Sequence, residues 1–163
     1  MEGVGDLCRK HNCLLLLDTV TSLGGVPLYI DEWKVDLAYS CSQKGLSCPP
    51  GLGPFTMGPR AEDKMTSRSG KVPNWYLDVS LLNQYWGSDR VYHHTAPVNM
   101  NFGMREALRL LAEEGLDQAW ERHRSNAERL WSGLERQGLS MHVPEERRLP
   151  TLTTVRIPDG VDG

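Results

Sequence analysis

Long apolar runs are missing from this chain. Leu14 to Leu17 is its longest strongly hydrophobic block, far short of the roughly 20 residues that cross a bilayer as a helix. Asp18 follows that block at once, so it reads as the end of a buried strand. Met1 to Lys10 lack the basic-then-apolar pattern of a secretory leader. An excess of one charge is missing too: 18 Lys and Arg stand against 21 Asp and Glu, a net −3. Such a balance supplies no basic field for nucleic acid or a membrane surface. Cysteines are few, namely Cys8, Cys13, Cys41 and Cys48. None are spaced as CxxC, and His11 stands beside only one pair, which argues against a metal site. Four cysteines in a Trp- and Leu-rich chain also make a poor disulfide framework, so they read as reduced thiols of an intracellular protein. Neither an internal repeat nor a low-complexity tract is present.

What is there suffices for one domain with a core, since 39% of the 163 residues are hydrophobic. Asp6 to Asn12 reads as a helix end, and Cys13 to Leu17 as a strand covered on both faces, as in a parallel sheet. Thr21 to Gly25 is loop chemistry. Val35 to Ser40 reads as a second strand that runs into the polar turn Ser42-Gln43-Lys44. Pro49-Pro50-Gly51 breaks the chain, Gly53 to Met57 suggests a third strand, and Arg60 to Ser67 a polar helix. From Asn99 the pattern turns helical, with Met104, Leu108, Leu111 and Ala112 at helical spacing, until Gly115 interrupts it. A second helix puts Leu116, Trp120, His123, Ala127, Leu130, Trp131 and Leu134 on one face, with Gly138 placed to cap its end. Leu139 to Val143 and Leu152 to Ile157 suggest two strands of a separate small unit. Alternating strands, loops and helices indicate an α/β fold with crossover connections. Both ends of the chain are expected to lie inside a longer protein, because a domain rarely finishes on a strand with nothing after it.

Active groups of such sheets sit in loops beyond the carboxyl ends of strands, where this reading puts Asp18 and Lys44. A lone lysine is usually a solvated surface charge. Lys44, however, follows an apolar strand within Tyr39-Ser40-Cys41-Ser42-Gln43-Lys44-Gly45. Burial there would help its ammonium lose the proton that imine formation requires, and Ser42 and Gln43 could donate to an anion such as phosphate. A carboxylate after four leucines needs a partner, so Asp18 is either a structural cap or ion pair, or a functional acid. The two lie one strand–crossover–strand unit apart, on neighbouring loops. An acid for a pyridinium nitrogen and an imine-forming lysine are what pyridoxal-phosphate chemistry asks of a protein.

Those residues carry a resemblance. Leu14-Leu15-Leu16-Leu17-Asp18-Thr19-Val20-Thr21-Ser22-Leu23-Gly24-Gly25 resembles the segment with the pyridine-binding aspartate in alanine–glyoxylate (serine–pyruvate) aminotransferases. Tyr39 to Leu46, with Pro49-Pro50-Gly51, resembles that family's cofactor-lysine segment. Val91-Tyr92-His93-His94-Thr95-Ala96-Pro97 is similar to its Tyr-His-His-Thr-x-Pro stretch. Glu113-Glu114-Gly115-Leu116 and Arg148-Leu149-Pro150-Thr151 fit as well. The resemblance covers essentially the whole chain, with the motifs in the family's order.

It implies an internal stretch of a fold-type I pyridoxal-phosphate enzyme. Residues 1–114 would be part of the large cofactor-binding domain, mostly parallel sheet with crossover helices, and residues 115–163 the start of the small C-terminal α/β domain. Lys44 would form the internal aldimine with pyridoxal 5'-phosphate and shuttle protons. Asp18 would bind the pyridine nitrogen, Val20 would pack on the ring, and Gln43 would hold the phosphate. Tyr92 and Thr95 would reach the phosphate of a neighbouring subunit, giving a homodimer with shared sites. His93 and His94 would point in alternate directions in an extended segment, which speaks against a joint metal site and for packing roles. Gly45 and Cys48 would be positions where the family pattern varies.

The reaction implied is transfer of an amino group from alanine or serine to glyoxylate or pyruvate. The partners are amino acids and 2-oxo acids, with no nucleic acid and no membrane. The family's location is peroxisomal or mitochondrial, and its terminal targeting signals are expected outside this stretch. So are its glycine-rich phosphate turn, its ring-stacking aromatic residue and its substrate-binding arginine, which makes residues 1–163 alone expectedly inactive. Three alternatives stand beside this reading: a related aminotransferase with another donor such as 3-hydroxykynurenine, a catalytically inactive truncated form, and an α/β binding module.

Overall fold

The computed structural model describes residues 1–162. Its elements in chain order are α1 (Val4–Lys10), β1 (Leu16–Asp18), β2 (Leu37–Tyr39), β3 (Phe55–Met57), α2 (Pro59–Thr66), α3 (Val79–Trp86), α4 (Val98–Glu114) and α5 (Leu116–Arg136), with short 3-10 turns at Trp75–Leu77 and Glu145–Arg147. The three strands form one sheet in the order β1-β2-β3. Leu37 N–H donates to Leu15 O and Thr19 N–H to Tyr39 O, so β1 and β2 run parallel. Gly58 N–H donates to Asp36 O and Ser40 N–H to Pro54 O, so β3 returns antiparallel. The sheet of this chain is therefore small and mixed, in place of the mostly parallel sheet expected.

The expectation of a strand covered on both faces needs correction. Leu15 is buried, whereas Leu14 and Leu16 stand 37% and 56% exposed. Among the described residues β1 pairs only with β2, so side chains on one face of this edge strand meet solvent.

The chain divides into two compact units. The first comprises residues 1–17, 30–38 and 55–99. Its centre is a polar knot that the sequence reading passed over. Asp36, 3% exposed, takes the Leu15 N–H at 2.8 Å and Arg60 Nη1 at 3.0 and 2.9 Å on its two oxygens. Arg60 Nη2 also donates to Cys13 O at 3.0 Å. A carboxylate buried just before β2 is tolerable because the Leu15 N–H and the Arg60 guanidinium both donate to it. Helix α3 was likewise unread; Asp78 caps it, accepting from Ser80 N–H at 3.0 Å.

The second unit comprises residues 18–29, 39–54 and 100–163. Helix α5 ends in a Schellman turn: Gly138 N–H donates to Glu135 O and Leu139 N–H to Leu134 O, at 3.0 and 3.1 Å. Gly138 holds φ 82°, as the cap expectation requires. The apolar face of α5 is narrower than expected, because Leu116 and Leu130 are about half exposed while Ala119 and Ala127 are buried. Trp131 Nε1 donates to Thr153 Oγ1 at 2.9 Å, and the Arg148 guanidinium lies 5.4 Å from the Trp131 ring centre. The two expected C-terminal strands are reduced to isolated antiparallel bridges, Met141 with Val155 and Leu149 with Leu152.

Candidate active site

Two loops of the second unit lie side by side. The first leaves the carboxyl end of β1 at Asp18 and turns through Val20 to Gly25. The second leaves β2 at Tyr39 and runs through Gln43 and Lys44. Their starts are stitched together. Thr19 Oγ1 donates to Tyr39 O at 2.7 Å, Thr19 N–H to the same oxygen at 2.9 Å, and Ser40 Oγ to Thr19 O at 3.0 Å. Their ends touch at two glycines. A Cβ on Gly45 would come within 2.3 Å of the Leu23 carbonyl oxygen, and one on Gly24 within 3.0 Å of the Gly45 oxygen. Gly24 also holds φ 84°, a left-handed conformation that side chains resist. A side chain at Gly45 would therefore have to displace the Leu23 carbonyl.

Asp18 is exposed, so partners compensate its charge without burying it. Oδ1 accepts the Val20 N–H at 2.8 Å and Oδ2 the Tyr39 hydroxyl at 2.6 Å. The Tyr39 hydrogen bond, and after it the Val20 N–H, hold the Asp18 carboxyl below its ordinary range, while desolvation pulls weakly the other way. The same bond pushes the Tyr39 phenol up, with desolvation and the Asp18 charge acting in the same sense. Tyr39 received no role from the sequence. Its signal was positional, because the last residue of β2 lies beside the end of the parallel β1.

Lys44 and Gln43 are both exposed, which corrects the expectation of a buried lysine. They top a tight turn in which Ser47 N–H donates to Lys44 O at 2.9 Å and Cys48 N–H to Ser42 O at 3.0 Å. Ser42 is the buried member. Its side chain donates to Pro49 O at 2.6 Å and accepts the Leu52 N–H at 3.3 Å, so it is no phosphate donor but the anchor of the turn. Val20 is half-buried at the head of its loop.

Asp18, Val20, Gln43 and Lys44 therefore fall within one unit, on adjoining loops. Tyr92 and Thr95 belong to the other unit, where their hydroxyls meet at 2.9 Å. Between them His93 is buried and stacks on Trp75 with ring centres 4.1 Å apart, and its Nε2–H donates to Trp75 O at 3.1 Å. The packing role of His93 is visible in that contact. The alternate directions are not, because His93 Nδ1 and His94 Nδ1 approach to 2.9 Å. A bend at His94 replaces the extended segment that alternation assumed.

Comparison with known proteins decides the family, since residues 1–162 match aminotransferase class-V. The chain belongs to the class-V aminotransferases. The crystal structure of alanine–glyoxylate aminotransferase from Nostoc sp. superposes with a TM-score of 0.96 at 66% identity, covering 99% of this chain and 43% of that one. Alanine–glyoxylate aminotransferase of Oryctolagus cuniculus is 45% identical over 162 residues, 97% of this chain and 41% of its own length. Ureidoglycine–glyoxylate aminotransferase from Bacillus subtilis superposes with a TM-score of 0.93 at 37% identity, covering 99% of this chain and 42% of that one. The chain spans about two-fifths of the length of these class-V aminotransferases. The family uses pyridoxal phosphate. No helix among the described residues is long and apolar enough to cross a membrane.

The residues present fit that cofactor chemically. Each Asp18 oxygen takes one hydrogen bond, and an ionised carboxylate accepts about four, so acceptor capacity remains for a ring N–H. Lys44 and Gln43 present an amine and an amide at the turn's exposed surface, and neither side chain is hydrogen-bonded to another described residue.

Proposed function

We propose that the complete protein carrying this chain transfers an amino group from alanine or serine to glyoxylate or pyruvate, with Lys44 as the cofactor-bearing lysine. The observation that carries the reading is the lateral contact of the Asp18–Gly25 and Tyr39–Gly45 loops, closed by Gly24 against Gly45. It brings an acid and an amine to one edge, behind an order of motifs shared with alanine–glyoxylate aminotransferases. Residues 1–114 are read as part of the large domain and 115–163 as the start of the small one. Exposed Leu14 and Leu16 then face the remainder of the fold.

When bound, pyridoxal phosphate supplies a carbonyl that condenses with amines and a ring that withdraws electrons. The chain's own groups do the rest. Asp18 holds a proton on the ring nitrogen through a charge-assisted bond. The Lys44 amine takes a proton from the substrate carbon and returns it. Val20 packs against the ring face, and Gln43 donates to the phosphate. Tyr92 and Thr95, already hydrogen-bonded to each other, present two hydroxyls to the phosphate of a partner subunit in a homodimer. A peroxisomal or mitochondrial setting follows from the same family reading.

The test is turnover of the complete, cofactor-loaded enzyme. Alanine with glyoxylate, or serine with pyruvate, should support exchange. Activity with 3-hydroxykynurenine alone would transfer the assignment to that related donor class. Residues 1–163 by themselves should give no turnover at saturating pyridoxal phosphate, because the substrate is not positioned by two loops alone.

A further inference from the structure

We infer that Tyr39 is a positioning residue for the ring-binding acid, setting both the orientation and the basicity of Asp18 through its hydroxyl. This rests on the reading of Asp18 as the partner of the cofactor's ring nitrogen.

The geometry is specific. Tyr39 ends β2, and its carbonyl is held by both the N–H and the hydroxyl of Thr19, the residue next to Asp18. With its backbone tied at 2.7 and 2.9 Å, the phenol reaches back across the strand pair to Asp18 Oδ2 at 2.6 Å. That length is typical of a hydroxyl donating to an ionised carboxylate. Val20 N–H takes the other oxygen at 2.8 Å, so the carboxylate plane is fixed from both sides before any ligand arrives. Preformed orientation of this kind keeps a catalytic group within the narrow range that productive geometry allows.

The chemical effect has a definite sign. Donors to a carboxylate favour its ionised form and make it a weaker base. A proton shared between Asp18 and a ring nitrogen then resides more on the nitrogen. Removing the Tyr39 hydroxyl leaves Asp18 more basic and freer to rotate, and both changes weaken ring protonation. Among the described residues no other side chain bonds the Asp18 carboxylate, and the Val20 N–H bonds the opposite oxygen. No bond is made or broken by Tyr39 itself.

Tyr39→Phe in the holoenzyme deletes only the hydroxyl. The ring-nitrogen 15N signal of labelled cofactor should move toward the unprotonated position. The half-reaction rate should fall about ten- to a hundredfold, the range for losing a hydrogen bond to a charged group, with the KM for the amino donor little changed. In the apoenzyme, the titration of the Asp18 carboxyl followed by 13C should move up. Asp18→Asn is the control. If Asp18→Asn shifts the ring-nitrogen signal and Tyr39→Phe does not, Tyr39 is no positioning residue. If neither shifts it, the reading of Asp18 fails. Should Tyr39→Phe fold poorly, the wild-type phenol still decides: a Tyr39 13Cζ titration at the ordinary tyrosine value would overturn the inference, and a raised one that falls in Asp18→Asn would support it.

Discussion

Arg60 Nη1 lies 3.0 and 2.9 Å from the two oxygens of Asp36, a carboxylate residue only 3% exposed. Through Leu15 N–H and Cys13 O the same pair ties the approach to β1 to the start of β2 and to α2.

Breaking that pair should destabilise the protein strongly. Asp36→Ala removes the acceptor of Arg60 Nη1 and of the Leu15 N–H and is expected to cost about 3–5 kcal/mol. Arg60→Ala should cost a similar amount, because it strands a buried carboxylate. Urea unfolding of the complete enzyme measures both. A loss below about 1 kcal/mol, the scale of an exposed pair, would show that the knot is not structural.

The loop contact makes a sharper prediction. Gly45→Ala places a methyl 2.3 Å from the Leu23 oxygen, so the loops must part. A displacement of about 1 Å at a catalytic group is enough to cost about a hundredfold in rate, while global stability should change by only about 1–3 kcal/mol. Steady-state kinetics beside a thermal melt read the two separately. Unimpaired kcat would mean that the loops need not touch.

How much of this was legible in the sequence depended on the range of the contact. The helices from Val98 to Arg136 and the Gly138 cap follow from local periodicity and one residue in a left-handed turn, and the structure has both. Of the Cys13–Leu17 segment expected as a doubly covered strand, only Leu16 and Leu17 lie in β1, and Leu14 and Leu16 are exposed, because burial depends on neighbours that a single strand does not encode. Asp18 at the end of β1 and Lys44 in the loop after β2 were singled out by topology. Ser42 was misjudged as a phosphate donor because its partners, Pro49 O and Leu52 N–H, come from beyond the turn. Asp36–Arg60 and Asp18–Tyr39 pair residues 24 and 21 positions apart, and a pairing at that range leaves no local pattern.

The Tyr39–Asp18 bond should leave a signature in pH. Asp18 is held below its ordinary value, so its contribution is present above about pH 4 and is lost as pH falls through the lowered value. Tyr39 is held above its ordinary value, so its contribution is present below about pH 10 and is lost as pH rises through the raised value. The difference in Tm between wild-type and Tyr39→Phe apoenzyme should therefore be flat across neutral pH and shrink toward both extremes. A difference that changes near pH 6 to 7, about where histidine titrates, would assign the stabilisation to another group.

Asp18→Asn keeps the side chain's shape but no longer holds a proton on the ring nitrogen. Half-reaction rates should drop by orders of magnitude while cofactor retention changes less. Stopped-flow spectra of the loaded enzyme with alanine give the first quantity, and dialysis the second. Unchanged rates would make Asp18 a structural cap of the Val20 turn.

The central claim, that Lys44 bears the cofactor, has a direct chemical test. Borohydride reduction of the complete, cofactor-loaded enzyme fixes the lysine–cofactor linkage, and peptide mapping then finds the modified residue. The expected label is on Lys44, absent in Lys44→Ala and not restored by Lys44→Arg, whose guanidinium keeps its proton. A label on Lys34 or Lys64 in the wild-type protein would contradict the account.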